Sequence, residues 1–128
     1  MRYKHLLLLL LIWSCSSEPK SVNRVSESAF SELMETYGGA LIVDLRTEED
    51  YHKGHLKGAV NLPADDALYD KLYQLSTRQV YLMYCADGKT ANELTGMLDS
   101  LRFKEVYLLK NGIEGTAFPR VQASNDKK

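Results

Sequence analysis

The amino-acid sequence predicts a single α/β domain with a mainly parallel central sheet and helices on both faces. Short apolar runs typical of strands alternate along the chain with segments whose apolar residues recur at helical spacing. The runs at 40–43 and 80–84 are almost continuously apolar, as expected for strands that are buried on both faces. The length of 128 residues fits one domain, and no internal repeat divides it.

The first half of the predicted domain, which we place at 24–119, contains two strands and two helical segments. A short strand is expected at 24–25, and Ser26 opens a helix that Gly38 and Gly39 end. A buried strand follows at 40–43. Thr47 is placed to cap the next helical turn, in which acidic residues favour the N-terminal end.

The second half continues the alternation of strands and helices. Gly54 and Gly58 bracket a tight connection, and a polar tail is expected at 120–128. Between them we predict, in order, a strand at 59–62, a helix begun by Asp65 and Asp66, a strand at 80–84, a helix from near Thr90, a strand at 105–109, a turn at Asn111 and Gly112, and a short helix at 113–118.

The N-terminal segment differs in kind from this domain. Arg2 and Lys4 precede an apolar run at 6–13, and Cys15 follows closely. A basic start before a short apolar run is typical of a secretory signal peptide, whereas a membrane span takes about 20 residues. We therefore predict a signal peptide at 1–14.

The segment Ile12-Trp13-Ser14-Cys15 resembles the lipobox of bacterial lipoproteins. The resemblance implies that Cys15 is lipidated and becomes the mature N-terminus, followed by a polar tether to residue 23. It also implies an anchored protein of the bacterial cell envelope, which faces the periplasm or the exterior. An ordinary signal peptide with an incidental cysteine, or an uncleaved anchor, are the alternatives.

Charge and cysteine content narrow the function. Removal of Arg2 and Lys4 with the signal peptide takes the formal net charge from −1 to −3, which gives no attraction to nucleic acid or anionic lipid. The chain has two cysteines, so lipidation of Cys15 leaves Cys85 without an intramolecular disulfide partner. Such a leftover thiol in an exported protein indicates either a reactive group or a disulfide between two molecules.

Cys85 follows the predicted strand 80–84 and precedes a short polar loop and a helix. Ligands bind at this edge of open α/β sheets, and a helix N-terminus directed at a sulfur favours the thiolate. Asp44 and Arg46 end the strand at 40–43 at the same edge. We predict that they shape a pocket, the alternative being a purely structural ion pair.

Two blocks and a closing turn resemble the rhodanese-like family over residues 25 to 118. One block is the segment Tyr84-Cys85-Ala86-Asp87-Gly88-Lys89-Thr90, which is similar to the family's active loop. The other block and the turn are formed by Val43-Asp44-Leu45-Arg46, Tyr51, Gly54-His55-Leu56, Gly58-Ala59-Val60-Asn61, Leu62-Pro63, Val106-Tyr107-Leu108-Leu109 and Asn111-Gly112-Ile113.

The resemblance implies a sulfurtransferase in which Cys85 takes the outer sulfur of a small donor as a persulfide and passes it to a thiol or another nucleophile. The substrate-binding loop would be formed by Ala86, Asp87, Gly88, Lys89 and Thr90. Its backbone N–H groups would make an anion-binding nest, for which Gly88 supplies an unusual backbone conformation. No metal and no cofactor is implied, and a protein partner at the envelope is a further expectation.

The loop departs from the family pattern at the position that usually holds arginine. Thr90 stands there, Ala91 replaces the serine or threonine that usually follows, and Asp87 balances Lys89. Losing an arginine–anion pair typically costs about 1.5–3 kcal/mol. We therefore expect thiosulfate to be a poor donor.

Several alternatives remain beside this interpretation. The fold could serve as a catalytically weak or inactive binding or sulfur-carrier module, and Cys85 could be a buried core residue. A phosphate-binding loop would need glycine where Met83 stands. His52 and His55 could join Cys85 at a metal, although a hydrogen-bonded histidine at a turn is the simpler interpretation of His55.

Overall fold

The computed structural model describes residues 21–122, which form a five-stranded sheet with four helices. Strands β1 to β5 span Val22–Val25, Leu41–Asp44, Val60–Asn61, Val80–Tyr84 and Glu105–Leu109. Helices α1 to α4 span Glu27–Thr36, Glu48–Lys53, Leu68–Tyr73 and Gly88–Ser100. The strands lie in the order β1-β5-β4-β2-β3, and every described pair is parallel.

This architecture confirms the predicted α/β fold with its parallel sheet. β4 lies in the middle of the sheet, and its side chains alternate between the two faces. Tyr81, Met83 and Cys85 pack in a core cluster with α3 and α4, while Leu82 and Tyr84 pack in a second cluster with Phe30 of α1. Helices therefore cover both faces.

The register of β2 and β4 brings their carboxyl ends level. Asp44 is the partner of Tyr84, and the Leu45 amide donates to the Tyr84 carbonyl oxygen at 2.8 Å. Leu45 and Arg46, which follow β2, and Cys85, which follows β4, therefore leave the sheet at the same edge.

Both predicted helix starts in the first half are confirmed by side-chain caps. The Ser26 hydroxyl accepts from the Ala29 amide at 3.3 Å, and the Thr47 hydroxyl accepts from the Asp50 amide at 3.2 Å. Each cap satisfies an amide that the first helical turn leaves without a backbone partner.

Both ends of the domain extend beyond the bounds predicted from sequence. β1 begins at Val22, which pairs with Val106, so the sheet includes two residues of the predicted tether. Val121 exchanges two backbone hydrogen bonds with His55, at 2.9 and 2.8 Å, so the predicted tail at 120–128 includes an ordered bridge. Neither segment has the continuous apolar run by which strands were identified.

The short helix predicted at 113–118 is wrong. This segment forms turns, in which the Thr116 amide donates to the Ile113 carbonyl oxygen at 3.2 Å. The amides of Ile113 and Glu114 donate to the Cys85 loop. Gly115 has φ +80°, which lies outside the α-helical range, so the segment does not continue as a helix.

The predicted signal peptide, Cys15 and most of the tether lie outside the described residues. Within residues 21–122, no helix is both long and apolar enough to span a bilayer.

Candidate active site

Cys85 lies directly after β4, and its side chain has no solvent exposure. Its thiol donates to the Asp87 carbonyl oxygen at 3.2 Å, and its own carbonyl accepts from the Ile113 amide at 2.9 Å. The Ala86 carbonyl accepts from the Glu114 amide at 3.1 Å. The segment after β5 thus fixes the backbone of the loop that carries the sulfur.

The expectation of a lowered Cys85 pKa is wrong. Burial raises the pKa of the thiol to about 11, and the carboxylates of Asp87 and Asp44 act in the same direction. Hydrogen bonding to the Asp87 backbone opposes the increase without cancelling it. A buried sulfur loses the hydration that stabilises a thiolate, so Cys85 rests as the thiol at neutral pH.

The helix N-terminus that was expected to face the sulfur is capped by Asp87. α4 begins at Gly88 rather than near Thr90, and an Asp87 carboxylate oxygen accepts from the Thr90 amide at 2.8 Å. This bond lowers the pKa of Asp87. The Asp87 carboxylate therefore neutralises some of the positive potential at the N-terminus of α4 that would otherwise attract an anionic substrate.

The glycine that this loop requires is Gly112, whose backbone in the turn after β5 lies directly against the backbone of the loop. Gly88 has no positive φ, so the unusual conformation expected there is wrong. Gly112 has φ +73°, and a Cβ atom on it would collide with the Ala86 carbonyl and the Asp87 amide. The sequence placed Gly112 in a turn, but only the fold shows that this turn supports the Cys85 loop.

Asp44, Arg46 and Tyr84 form a buried network beside the loop. Arg46 Nη2 lies 2.7 Å from Asp44 Oδ2 and donates to the Gly54 carbonyl at 2.6 Å. The Tyr84 hydroxyl donates to Asp44 Oδ2 at 2.7 Å and accepts from the Leu56 amide at 3.1 Å. The structural ion pair considered from sequence is therefore present, and it commits the Arg46 charge to Asp44.

A cavity of about 420 Å³ opens at the carboxyl edge beside Cys85. Arg46 lines it, whereas Asp44 does not, so of the two predicted pocket residues only Arg46 contributes to its wall. Within the predicted loop, Ala86 and Thr90 line it, but Asp87, Gly88 and Lys89 do not. The other lining residues are Leu45, Thr47, Glu48, Asp50, Pro63, Ala64 and Asp65.

The acidic part of this wall, formed by Glu48, Asp50 and Asp65, was not predicted from the sequence. Their positions after β2 and β3 were the available signal, because parallel strands end at one edge of the sheet. Glu48 and Asp50 were instead assigned to the helical turn that Thr47 caps, and Asp65 to the start of the next helix. Glu48 and Asp50 do lie in the first turn of α2, but the helix start predicted at Asp65 is wrong, because α3 begins at Leu68 and Asp65 accepts from the Ala67 amide before it.

The two histidines do not join Cys85. His55 Nδ1 lies 2.8 Å from the Tyr51 carbonyl oxygen, and its ring stacks on Tyr51 at 3.8 Å. His52 is exposed, 3.4 Å from Glu48. Among residues 21–122, no group of histidine, cysteine and acidic side chains is arranged to hold a metal ion.

Known proteins share this sequence pattern. The chain is 46% identical over 72 residues to a tRNA sulfurtransferase of Pyrobaculum aerophilum, which covers 55% of this chain but only 14% of that protein. It is 26% identical to the YibN protein of Escherichia coli over 88% of this chain and 79% of that protein. The thiosulfate sulfurtransferase GlpE of Ectopseudomonas mendocina is 28% identical over 71% of this chain and 81% of its own length.

Solved structures share the fold. The Alr3790 protein of Anabaena superposes with a TM-score of 0.63 at 22% identity, over 77% of this chain and 82% of that one. A rhodanese-related protein of Thermoplasma volcanium has a TM-score of 0.63 at 20% identity, over 77% and 97% of the two chains. The profile of the Rhodanese-like domain matches residues 26–117. The chain belongs to the rhodanese-like domain family.

Proposed function

We propose that this protein is a sulfurtransferase in which Cys85 carries the transferred sulfur as a persulfide. The observation that carries the proposal is the position of Cys85, at the carboxyl end of the central strand and in the wall of a cavity. Similar proteins named as sulfurtransferases support the same class of reaction. The small donor and the thiol acceptor would enter through this cavity.

The reaction has two displacements at sulfur. The Cys85 thiol loses its proton to solvent, and its thiolate attacks the outer sulfur of a persulfide or polysulfide donor. A sulfur–sulfur bond forms at Cys85 Sγ, and the donor's own sulfur–sulfur bond breaks, with the electron pair leaving on the donor thiolate. An acceptor thiolate then attacks the outer sulfur, and the pair of the broken bond returns to Cys85.

The protein favours the reaction by positioning the Cys85 sulfur rather than by lowering its pKa. With a pKa of about 11, only about one Cys85 in ten thousand is a thiolate at neutral pH. The hydrogen bonds from Ile113 and Glu114 hold the loop in one place, so the sulfur is presented to a bound donor without a further ordering cost. Slow turnover with small donors follows.

Thiosulfate is a poor donor in this proposal. Thr90 brings no charge to the cavity, Arg46 is paired with Asp44, and the lining carboxylates repel a dianion. A neutral organic polysulfide does not meet this repulsion, and a singly charged persulfide meets less of it than a dianion does.

Intact-mass measurement after incubation with thiosulfate, polysulfide or a small persulfide tests the proposal. We expect Cys85 to gain the mass of one sulfur atom from polysulfide or persulfide, and to lose it when a thiol is added. Cys85→Ser should gain nothing, and Cys15→Ser, the matched control at the other cysteine, should gain as the wild type does. A gain that survives in Cys85→Ser would refute the role of Cys85.

A second candidate is a catalytically inactive or sulfur-carrier module that binds a protein partner. The complete burial of Cys85 and its raised pKa favour this candidate, because binding a partner needs neither an accessible sulfur nor a thiolate. No gain of sulfur from any donor would select the inactive module. A gain that no thiol acceptor removes would select the carrier.

The proposal includes a lipid anchor at Cys15 and a place at the bacterial cell envelope. Its support is the basic start, the apolar run and the cysteine that follows it. The full chain should sediment with membranes, and Cys15→Ala should release it, while Cys85→Ala should stay bound. Membrane binding by Cys15→Ala would exclude the anchor.

A further inference from the structure

The cavity beside Cys85 carries an excess of negative charge. Glu48, Asp50 and Asp65 line it against a single lining cation, Arg46. The Arg46 guanidinium is only 8% exposed and is bound to the buried carboxylate of Asp44, so it offers little attraction to an incoming anion.

The lysines nearest to this wall leave the excess in place. Lys71 offsets Asp65 across 3.2 Å. Lys53 is paired at 2.7 Å with Glu49, which does not line the cavity, and interacts less strongly with Asp50. Two carboxylates, those of Glu48 and Asp50, therefore remain without a full opposing charge. His52, 3.4 Å from Glu48, contributes a charge only when protonated.

The loop adds no cation of its own to the wall. Thr90, which lines the cavity, is neutral, and Lys89 lies outside the lining and acts on Asp87. We propose that this cavity selects sulfur donors and acceptors that carry positive charge next to the reacting sulfur. The inference rests on the proposed function and names the substrate class of the same site.

A cationic partner would do two things at once. Its charge is attracted by Glu48, which is exposed, and by Asp50, which is partly buried, so water and salt screen the attraction. Its charge also favours the thiolate of Cys85, in opposition to burial and to the carboxylates of Asp87 and Asp44. The substrate thereby supplies the cation that the loop lacks at Thr90.

Charged thiosulfonates test the cavity field without sulfur transfer. These reagents form a mixed disulfide with a thiolate and release a sulfinate, so they need Cys85 alone. The full chain is treated with a trimethylammonium or a sulfonate form, and labelling is followed on the peptide that contains Cys85. We expect the cationic reagent to react about tenfold faster than the anionic one, relative to a free cysteine peptide. The ratio should fall as salt is added.

The triple variant Glu48→Gln, Asp50→Asn and Asp65→Asn should bring this ratio close to that of the free peptide. The amide that replaces the Asp65 carboxylate retains an oxygen that can accept the hydrogen bond from the Ala67 amide, which spans 2.9 Å in the wild type. Glu49→Gln is the matched control, since it removes a carboxylate of the same helix that does not line the cavity. An equal ratio in the wild type, faster labelling by the anionic reagent, or no labelling by either would overturn the proposal.

Acceptor assays then identify the source of the charge. After persulfide loading, sulfur release is compared for cysteamine, mercaptoethanol and mercaptoacetate, and for a cysteine peptide flanked by arginine or by glutamate. Preference for cysteamine alone assigns a small cationic thiol, and preference for the arginine peptide assigns a basic protein segment. Preference for the anionic thiols would refute the selectivity. If Cys85 never gains sulfur but the labelling ratio holds, the proposed function fails while the charge selectivity of the cavity stands.

Discussion

Two features determine the reactivity of Cys85: burial raises its pKa, and its position in a cavity wall gives a donor a route to it. A sulfur removed from water keeps its proton to about pH 11, two units above the ordinary value for a thiol, and so has about a hundredfold less thiolate at neutral pH. A more basic thiolate is also more nucleophilic, by roughly tenfold over that interval. The two effects together leave Cys85 about tenfold slower than a free cysteine before access is considered.

We predict that alkylation of Cys85 by iodoacetamide is slow at neutral pH and still rises through about pH 10, because the thiolate fraction has not reached its limit there. Mass spectrometry of the Cys85 peptide at a series of pH values measures the profile. Asp87→Asn keeps an N-cap side chain but removes a carboxylate that raises the Cys85 pKa, so it should shift the profile to lower pH. A wild-type profile that levels off near pH 8.5 would contradict the raised pKa.

In the proposed reaction, the charge at position 90 affects how strongly the cavity binds an anionic donor. Thr90→Arg places a cation in the cavity wall without touching the Thr90 amide that Asp87 caps. We predict that kcat/KM for thiosulfate rises by about tenfold to a hundredfold, the value of a charged hydrogen bond of 1.5–3 kcal/mol. Thr90→Gln, which is long but neutral, is the control. Equal gains in both variants would show that charge is not the cause.

At the scale of elements, the turn after β5 is the support of the Cys85 loop. Gly112→Ala would force a Cβ into the Ala86 carbonyl and the Asp87 amide at a positive φ. We predict that it lowers the free energy of unfolding by about 2–4 kcal/mol, as measured by urea denaturation. It should also abolish sulfur loading at Cys85.

Gly115→Ala separates the cost of a positive φ from the cost of the collision with the Cys85 loop. Gly115 also has a positive φ, of +80°, but its Cβ would meet no atom within 4 Å. It should show the backbone penalty of about 1 kcal/mol and keep sulfur loading. Equal effects of the two substitutions would mean that contact with the loop is unimportant.

The strands that the sequence predicted well are those with continuous apolar runs. β4 and β5 have the predicted bounds, because their apolar residues form short runs that are buried between helices. β1 was predicted late because polar Asn23 and Arg24 separate its two valines, and pairing with β5 is what makes it a strand.

The place of the site followed from the sequence, but its chemistry did not. A cysteine after a central strand must lie at the carboxyl edge, whatever surrounds it. Its burial depends on the core cluster that it shares with Leu45, which follows β2, and with Ala91 and Leu94 of α4, and its pKa depends on that burial. The acidic wall likewise combines residues 48, 50 and 65, which no local pattern associates.

At the scale of the whole molecule, the sheet order produces the site. β2 and β3 lie on one side of β4, so the segments after all three strands meet at one edge and enclose the cavity. The same arrangement buries Asp44, Tyr84 and Cys85 together in the centre of the fold. Acid groups buried at the centre couple the stability of the whole domain to pH.

We predict that the free energy of unfolding falls as pH rises above about 9. Burial raises the pKa values of both Cys85 and Tyr84, so the folded chain keeps protons that the unfolded chain releases. Stability from a raised pKa is fully present below the unfolded value and is lost as pH rises through the folded value. For Cys85 that interval runs from 9.0 to about 11, and its loss is at most about 3 kcal/mol.

Urea denaturation from about pH 8 to about pH 11 measures this slope. Cys85→Ala should flatten it between its two pKa values, and Tyr84→Phe should flatten it at higher pH, because each removes one retained proton. Tyr73→Phe is the control, since this residue is 73% exposed and its substitution removes no buried group, so the slope should be the same as in the wild type. Equal slopes in Cys85→Ala and wild type would mean that the sulfur is hydrated in solution. In that case the slow alkylation predicted for Cys85 should fail as well, because both effects have burial as their cause.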